Sequence, residues 1–290
     1  MSDLKISWIG VGKLGSPMAK RAVDAGLDVT VFDTMAANTA PFAKVAGSMA
    51  EAIAGADLIV STIPNDGILR AIALGPTGIL ATMGDDAVFV DMSTVSPGAS
   101  AEVAAAADGK AYLRAPVSGS VTHAESGTLT VLASGPKAAY DRATPLFDTF
   151  SAAAFHLGED EQARYLKLVI NNMVGSTAAL LAESLTLGRK GGLDWAKMID
   201  VIANSAVASP LVKYKAGPLT GRNFDPAFTT TQMIKDIGLV VEAAQSVGAD
   251  TPLAAETLAL LQDAEAAGLG DEDFTATVKV MEGRAGLDGL

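Results

Sequence analysis

Short apolar runs alternate with alanine-rich stretches of helical period through the first half of the chain. Residues 4–9, 28–32, 58–63, 87–91 and 111–113 read as strands, and helical patterns cover about 14–25, 49–54 and 96–107. Strands separated by helices cannot return as hairpins and pair in parallel through crossovers, so the pattern predicts an α/β, doubly wound parallel sheet. Residues 128–133 and 154–157 are expected to extend that same sheet.

Beyond about residue 160 the strand signals stop and the period becomes helical throughout. Residues 161–189 predict one long helix, ended by Gly191 and Gly192, with Asp194 capping the next. A further helix is expected over about 230–246, another from the cap-plus-proline pair Thr251 and Pro252, and a last one after Asp271. The expected organisation is a doubly wound α/β domain over 1–160 and an all-α domain over 161–290.

Composition narrows the chemistry. With 290 residues, 49% of them hydrophobic, the chain can bury two ordinary cores, and a formal net charge of −12 disfavours nucleic acid or an anionic membrane as partner. There are no cysteines, which removes disulfides, thiolate metal sites and thiol nucleophiles. The imidazoles, His123 and His156, lack ligand-like spacing, so no metal is expected. The N-terminal stretch has no secretory pattern and no apolar segment of spanning length lacks polar residues, so the expectation is a soluble, cytoplasmic protein.

Gly10, Gly12 and Gly15 form GxGxxG directly after the first strand and at the start of a helix, with Lys13 and Leu14 inside the loop. The first glycine permits the tight turn, the second lets backbone approach a pyrophosphate, and the third lets helix and strand pack closely. The helix start offers amide donors and a favourable dipole to the phosphates. Asp33 ends the next strand at the distance expected for a carboxylate on the ribose hydroxyls, which completes a Rossmann fingerprint. Such a carboxylate repels a 2′-phosphate and favours NAD over NADP; the plainer reading of Asp33 is a turn cap.

Lys167 lies in GlyGluAspGluGlnAlaArgTyrLeuLysLeuValIleAsnAsn, residues 158–172. On a helix Lys167 and Asn171 are four apart and share a face, so an ammonium and an amide can reach one small ligand together. By spacing alone Lys167 would equally be a snorkelling surface lysine.

The ordered motifs are more specific than any one of them. GlyValGlyLysLeuGlySerProMetAla (10–19), Ile63 with Pro64, ValAspMetSerThr (90–94), AlaProValSerGly (115–119), GlyThrLeu (127–129), LysLeuValIleAsnAsn (167–172) and Lys235 with Asp236 follow in sequence. Together, over nearly the whole chain, they resemble the β-hydroxyacid dehydrogenases, the family of 3-hydroxyisobutyrate dehydrogenase and tartronate semialdehyde reductase. The resemblance implies that Ser118 and Gly119 bind a substrate carboxylate, that Lys167 is the general acid or base, and that Asn171 orients the hydroxyl. It implies that Lys235 lies close to substrate and nicotinamide, and that Thr94, Ile63 and Pro64 line the cofactor cleft. It further implies a long helix joining the two domains and a homodimer or homotetramer.

Acid–base chemistry agrees with these roles, since oxidising an alcohol by hydride transfer requires removal of the hydroxyl proton, which a lysine of lowered pKa can take. The expected activity is therefore hydride transfer between NAD(H) and a small anionic β-hydroxy acid or its semialdehyde. The rival readings are an imine reductase, against which Lys167 counts, and a non-catalytic NAD-binding interaction module. A decarboxylating sugar-phosphate dehydrogenase fits less well, because its C-terminal region is much longer.

The chain also departs from the family pattern. Arg114 stands where the family usually has aspartate, and Ser120 stands where a second glycine follows the serine. Arg114 answers either to a second anionic group on the substrate or to a loop anchor, of which a strand-end charge favours the anchor. His123 either approaches the same pocket or is a loop histidine, and Lys167 already fills the acid–base role.

Overall fold

The computed structural model describes residues 4–287; the outermost ends of the two expected domains, 1–3 and 288–290, lie outside it. The chain divides into two compact units, Met1–Lys167 and Leu168–Leu290. In the first, β1 (Lys5–Ile9), α1 (Gly15–Asp24), β2 (Asp28–Phe32), α2 (Ala36–Thr39), α3 (Met49–Ile53) and β3 (Leu58–Ser61) come in order. Then follow α4 (Asp66–Ala73), α5 (Ile79–Thr82), β4 (Val88–Asp91), α6 (Pro97–Ala106), β5 (Ala111–Arg114), β6 (Val117–Ser118), α7 (Val121–Ser126), β7 (Leu129–Ala133), α8 (Lys137–Phe147) and β8 (Ser151–His156).

The main sheet has the order β2-β1-β3-β4-β5 and is parallel throughout. Its strands read as continuous apolar runs because both faces are covered: Leu58, Val60, Val88 and Val90 enter one core, while Ile59 and Phe89 enter the other. The order reverses between β1 and β3, so the loops after these two strands flank a topological switch point, where such sheets hold ligands.

Residues 128–133 and 154–157 do not extend this sheet. They belong to a separate three-stranded sheet, β6-β7-β8, in which β7 pairs antiparallel with the short β6 and parallel with β8. An isolated antiparallel bridge, Arg114 to Ser134, is where β5 meets this second sheet. Gly135, at φ +133°, lets the chain pass there, since a Cβ would fall 2.6 Å from the Tyr112 carbonyl oxygen.

The remaining helices are α9 (Gln162–Lys190), α10 (Trp195–Ala203), α11 (Pro210–Thr220), α12 (Thr230–Ser246), α13 (Pro252–Ala264) and α14 (Thr277–Arg284). Asp194 caps α10 by accepting from the Lys197 amide, and Thr229 caps α12 by accepting from the Gln232 amide. The sequence reading lacked α11, although Ser209 before Pro210 is a cap-plus-proline start and Ser209 accepts from the Val212 amide. Leu185, Trp195, Ile199, Leu219, Phe224 and Val278 form the core of the second unit.

Helix α9 has 29 residues, about 44 Å at the usual rise, and the division between the units falls inside it, after Lys167, within several residues of the boundary expected near 160. The reason is that its first turn is bound to the first unit by side chains described below. By length and composition α9 would suffice to cross a bilayer. Its Arg164, however, is buried in an ion pair inside the first unit, the behaviour of a helix belonging to a folded core.

Candidate active site

The glycine loop after β1 is held from below by the loop after β3. Gly10 has φ +86°, its N–H donates to the Phe32 carbonyl at 2.8 Å, and a Cβ there would lie 2.5 Å from the Thr62 carbonyl oxygen. At Gly15 a Cβ would fall 2.3 Å from Thr62 Oγ1 and 2.4 Å from the Gly10 carbonyl oxygen. Thr62 Oγ1 itself donates to that carbonyl and accepts from Trp8 Nε1 at 2.9 Å. Gly12 differs from both, since a Cβ there would meet nothing within 4 Å, which leaves the approach that a pyrophosphate needs. No side chain caps α1 at Leu14; the Ser16 amide donates to the Gly12 carbonyl at 2.9 Å and Pro17 has no N–H, so this end offers an anion chiefly the helix dipole. Lys13 is exposed beside it. These residues fit a dinucleotide.

Asp33 is half-buried and accepts from the Val11 amide at 2.9 Å through one oxygen and from the Met35 amide at 2.8 Å through the other. It therefore caps its own turn and also braces the glycine loop. Each carboxylate oxygen has a second acceptor position, so capping leaves capacity for ribose hydroxyls.

The loops after β3 and β4 are tied together. The Ile63 amide donates to Ser93 Oγ at 2.9 Å, and Pro64 and Thr94 stand beside these two residues, exposed and half-buried respectively. Ser93 is set in turn by Asp91, whose Oδ1 accepts from the Ser93 amide at 3.1 Å and from Ser61 Oγ at 2.7 Å. Asp91 also pairs with Arg164 at 2.5 Å, with side chains 0% and 1% exposed, so neither charge has water as an alternative partner. Burial opposes the Arg164 charge, but Asp91 and Tyr112 outweigh it and hold the guanidinium even more firmly protonated than usual. Burial, reinforced by Asp91, pushes the Tyr112 hydroxyl up to about 12, so it remains a neutral donor. Sequence reasoning assigned no role to Asp91 or Arg164. An arginine three residues ahead of Lys167 was the available signal.

Ser118 ends β6, paired with Thr130, and is half-buried. Gly119 has φ +134°, and a Cβ there would meet Leu129 Cδ2 at 2.6 Å and His123 Cβ at 3.0 Å. His123 Nδ1 accepts from the Ser120 amide at 3.2 Å and lies 2.9 Å from Ser120 Oγ, so His123 is an exposed residue in the first turn of α7 that closes a capping box with Ser120, rather than a loop histidine. Arg114 is the loop anchor. Its Nε donates to Glu161 Oε1 at 2.9 Å, its Nη2 to the same oxygen, and its Nη1 to the Glu159 carbonyl at 3.3 Å. The guanidinium also stacks 4.9 Å from the Tyr112 ring centre. With these partners Arg114 answers to protein, and the reading that gave it a second substrate anion is withdrawn.

Lys167 is half-buried and closes the first unit; Asn171 and Lys235 belong to the second. There Asn171 Nδ2 donates to Asp236 Oδ2 at 2.7 Å, both residues being buried, and Lys235 Nζ lies 2.9 Å from Asp236 Oδ1. Asn172 faces Ser176 instead, accepting from its Oγ at 3.2 Å. Asp236 is a third residue without an assigned role in the sequence reading, although it is adjacent to Lys235. Among the described residues no cluster of three or more His, Asp or Glu could hold a metal.

Residues 5–158 match the NAD binding domain of 6-phosphogluconate dehydrogenase, and residues 162–281 match the NAD-binding region of NADP-dependent 3-hydroxyisobutyrate dehydrogenase. The chain is 33% identical to 2-(hydroxymethyl)glutarate dehydrogenase of Eubacterium barkeri, over 98% of this chain and 97% of that one. It is 33% identical to the 3-hydroxyisobutyrate dehydrogenase of Pseudomonas aeruginosa, over 96% of this chain and 99% of that one. A solved Mycobacterium tuberculosis 3-hydroxyisobutyrate dehydrogenase with L-serine is 28% identical with a TM-score of 0.86, covering 97% of this chain and 99% of its own. An imine reductase from Pseudomonas sp. shares the fold at a TM-score of 0.61 and 20% identity, covering 97% of this chain and all of its own.

Proposed function

We propose how this chain works from the family to which it belongs, the β-hydroxyacid dehydrogenases. It is an oxidoreductase that moves a hydride between NAD(H) and a small β-hydroxy acid or the matching semialdehyde. When bound, the nicotinamide would supply the hydride chemistry in either direction. Gly10, Gly12, Lys13, Leu14 and Gly15 would hold the pyrophosphate, Asp33 would hold the ribose, and Ile63, Pro64 and Thr94 would line the nicotinamide end.

The remaining work is to bind the acid and move one proton. Ser118 and Gly119 receive the substrate carboxylate through a hydroxyl and backbone amides. Lys167, as the free amine, takes the hydroxyl proton while the adjacent C–H bond gives up its hydride; as the ammonium it returns that proton in reduction. Asn171 orients the hydroxyl, and its amide is itself oriented by Asp236. The observation that carries the reading is Lys167 on a helix whose first turn is fastened by buried bonds, one helical turn before Asn171.

The protein acts as a homodimer or homotetramer in this reading, which the large exposed side chains Val169, Met173, Leu180 and Leu187 on one face of α9 support. Its acidic, cysteine-free composition supports a cytoplasmic location.

A panel of C3 to C5 β-hydroxy acids assayed for NADH formation, alongside their methyl esters and the corresponding diols, tests the proposal. The acids should be turned over far better than the neutral compounds, and Ser118→Ala should raise KM more than it lowers kcat. Equal efficiency on acid and ester would show that no carboxylate is read, and would favour an imine or neutral-aldehyde reductase.

A further inference from the structure

We propose that Arg164 is a positioning residue for catalysis, tying the helical turn that carries Lys167 to the loops that line the nicotinamide end of the cofactor site. The inference rests on the reading of Lys167 given above. Arg164 Nη1 donates to the Ser93 carbonyl at 2.6 Å, Nη2 to Asp91 Oδ2 at 2.5 Å and to Tyr112 Oη at 3.1 Å, and Nε to Ser100 Oγ at 3.2 Å. These acceptors come from β4, the loop after it, β5 and α6. The chain of bonds continues from Asp91 to Ser93 and from Ser93 Oγ to the Ile63 amide, so it begins three residues before Lys167 and ends at a residue assigned to the cofactor.

A merely stabilising role would be met as well by an apolar side chain. A buried ion pair recovers little more than its desolvation cost, and a well-packed hydrophobic replacement is often as stable. A planar fork with this set of acceptors adds direction, which a hydrophobic contact lacks. Residues three apart on a helix are neighbours on one face, so fixing Arg164 fixes the placement of Lys167. Two further bonds hold the same turn: Arg114 to Glu161, and the Ala163 amide to Ser134 Oγ at 3.1 Å. A shift of about 1 Å in such a group costs on the order of a hundredfold in rate, so the tether matters to turnover.

The test uses the full chain with Arg164→Lys, and Arg164→Met combined with Asp91→Asn, each in the parent and in Lys167→Ala. Three quantities are measured: kcat on the best β-hydroxy acid, the Kd for NADH by fluorescence titration, and Tm. In folded variants kcat should fall at least about tenfold in the parent background, and the NADH Kd should rise, since the Ile63 and Thr94 loops lose a support. In Lys167→Ala, the further loss from changing Arg164 should vanish, because residues acting as a unit are not additive. Values of kcat and NADH Kd within about twofold of the parent in a folded variant overturn the inference. So does an equal loss of kcat in both backgrounds, or full rescue by lysine, which would reduce the pair to charge neutralisation. Arg164→Lys keeps the buried charge and decides the matter if the double variant does not fold. Normal turnover by Lys167→Ala alone would instead remove the acid–base reading.

Discussion

Asn171 Nδ2 donates to Asp236 Oδ2 at 2.7 Å, and because a carboxylate only accepts, this bond dictates which end of the amide faces Asp236. The amide oxygen is left as an acceptor, the polarity needed to receive a hydroxyl or ammonium hydrogen. Asp236 also lies 2.9 Å from the Lys235 ammonium, so one carboxylate contacts both side chains.

Asp236→Ala should therefore lower kcat/KM by about 10- to 100-fold, the value of a hydrogen bond to a charged group, while Asp236→Asn, whose amide oxygen can still accept from Asn171, should lose less. Steady-state kinetics of both, with Asn171→Ala and the Asn171→Ala/Asp236→Ala double variant, check the relationship. Additive losses would show that Asp236 does not act through Asn171.

Lys167→Ala should lose at least about a hundredfold in kcat while still binding NADH, the usual worth of a positioned acid or base. Lys167→Arg should fail too, since a guanidinium holds its proton at any ordinary pH. Stopped-flow turnover and NADH fluorescence separate the chemical step from binding; near-normal turnover in a folded Lys167→Ala excludes the role.

Asp33 should enforce a preference for NAD, measured as the ratio of kcat/KM for NAD and NADP. Its carboxylate repels a 2′-phosphate, yet it also accepts from the Val11 and Met35 amides. Asp33→Ala should thus narrow the ratio and weaken NAD as well, because the glycine loop loses a brace. A parent enzyme that prefers NADP would defeat this prediction.

In the C-terminal unit, the Glu282 carboxylate receives Arg222 through both oxygens, at 2.8 and 2.6 Å, and Arg189 at 2.6 Å. Burial alone would raise its pKa, but the two guanidinium groups outweigh burial and hold it below the ordinary 4.5. A folded pKa below the unfolded one means that the contribution to stability is complete above the ordinary value and is lost as pH falls through the depressed one. Glu282→Gln should cost about 3–5 kcal/mol near neutrality, the range for breaking a buried pair, with the deficit shrinking in acid below pH 4.5. Denaturant unfolding at pH 7 and at pH 3 measures it; a deficit independent of pH would show that the ion pairs contribute no titrating stability.

The sequence by itself determined whatever is written in short-range period and spacing. Apolar runs bounded by helical stretches gave the strands of the parallel sheet, and GxGxxG next to a strand identified a glycine loop whose three positions prove physically different. Helix starts were legible at Asp194, whose side chain caps within one turn, and at Thr251, where Pro252 suits the first helical position although Thr251 makes no capping bond; Lys167 with Asn171 stood out because four residues span one turn of helix. Ser209 with Pro210 carries the same kind of local signal for α11.

Tertiary structure decided the partnerships. Residues 128–133 have ordinary strand chemistry, and only the folded chain shows that they pair with β6 and β8 rather than with the main sheet. Arg114 meets Glu161 across 47 residues of sequence, Asn171 meets Asp236 across 65, and Arg164 meets Asp91 across 73. Local propensity carries no record of such pairings, since a charge on a helix or at a strand end looks the same along the chain whether it meets water or a buried counter-ion. Burial makes the difference: once water is excluded, each charge must have a partner, and the fold alone determines which one is within reach.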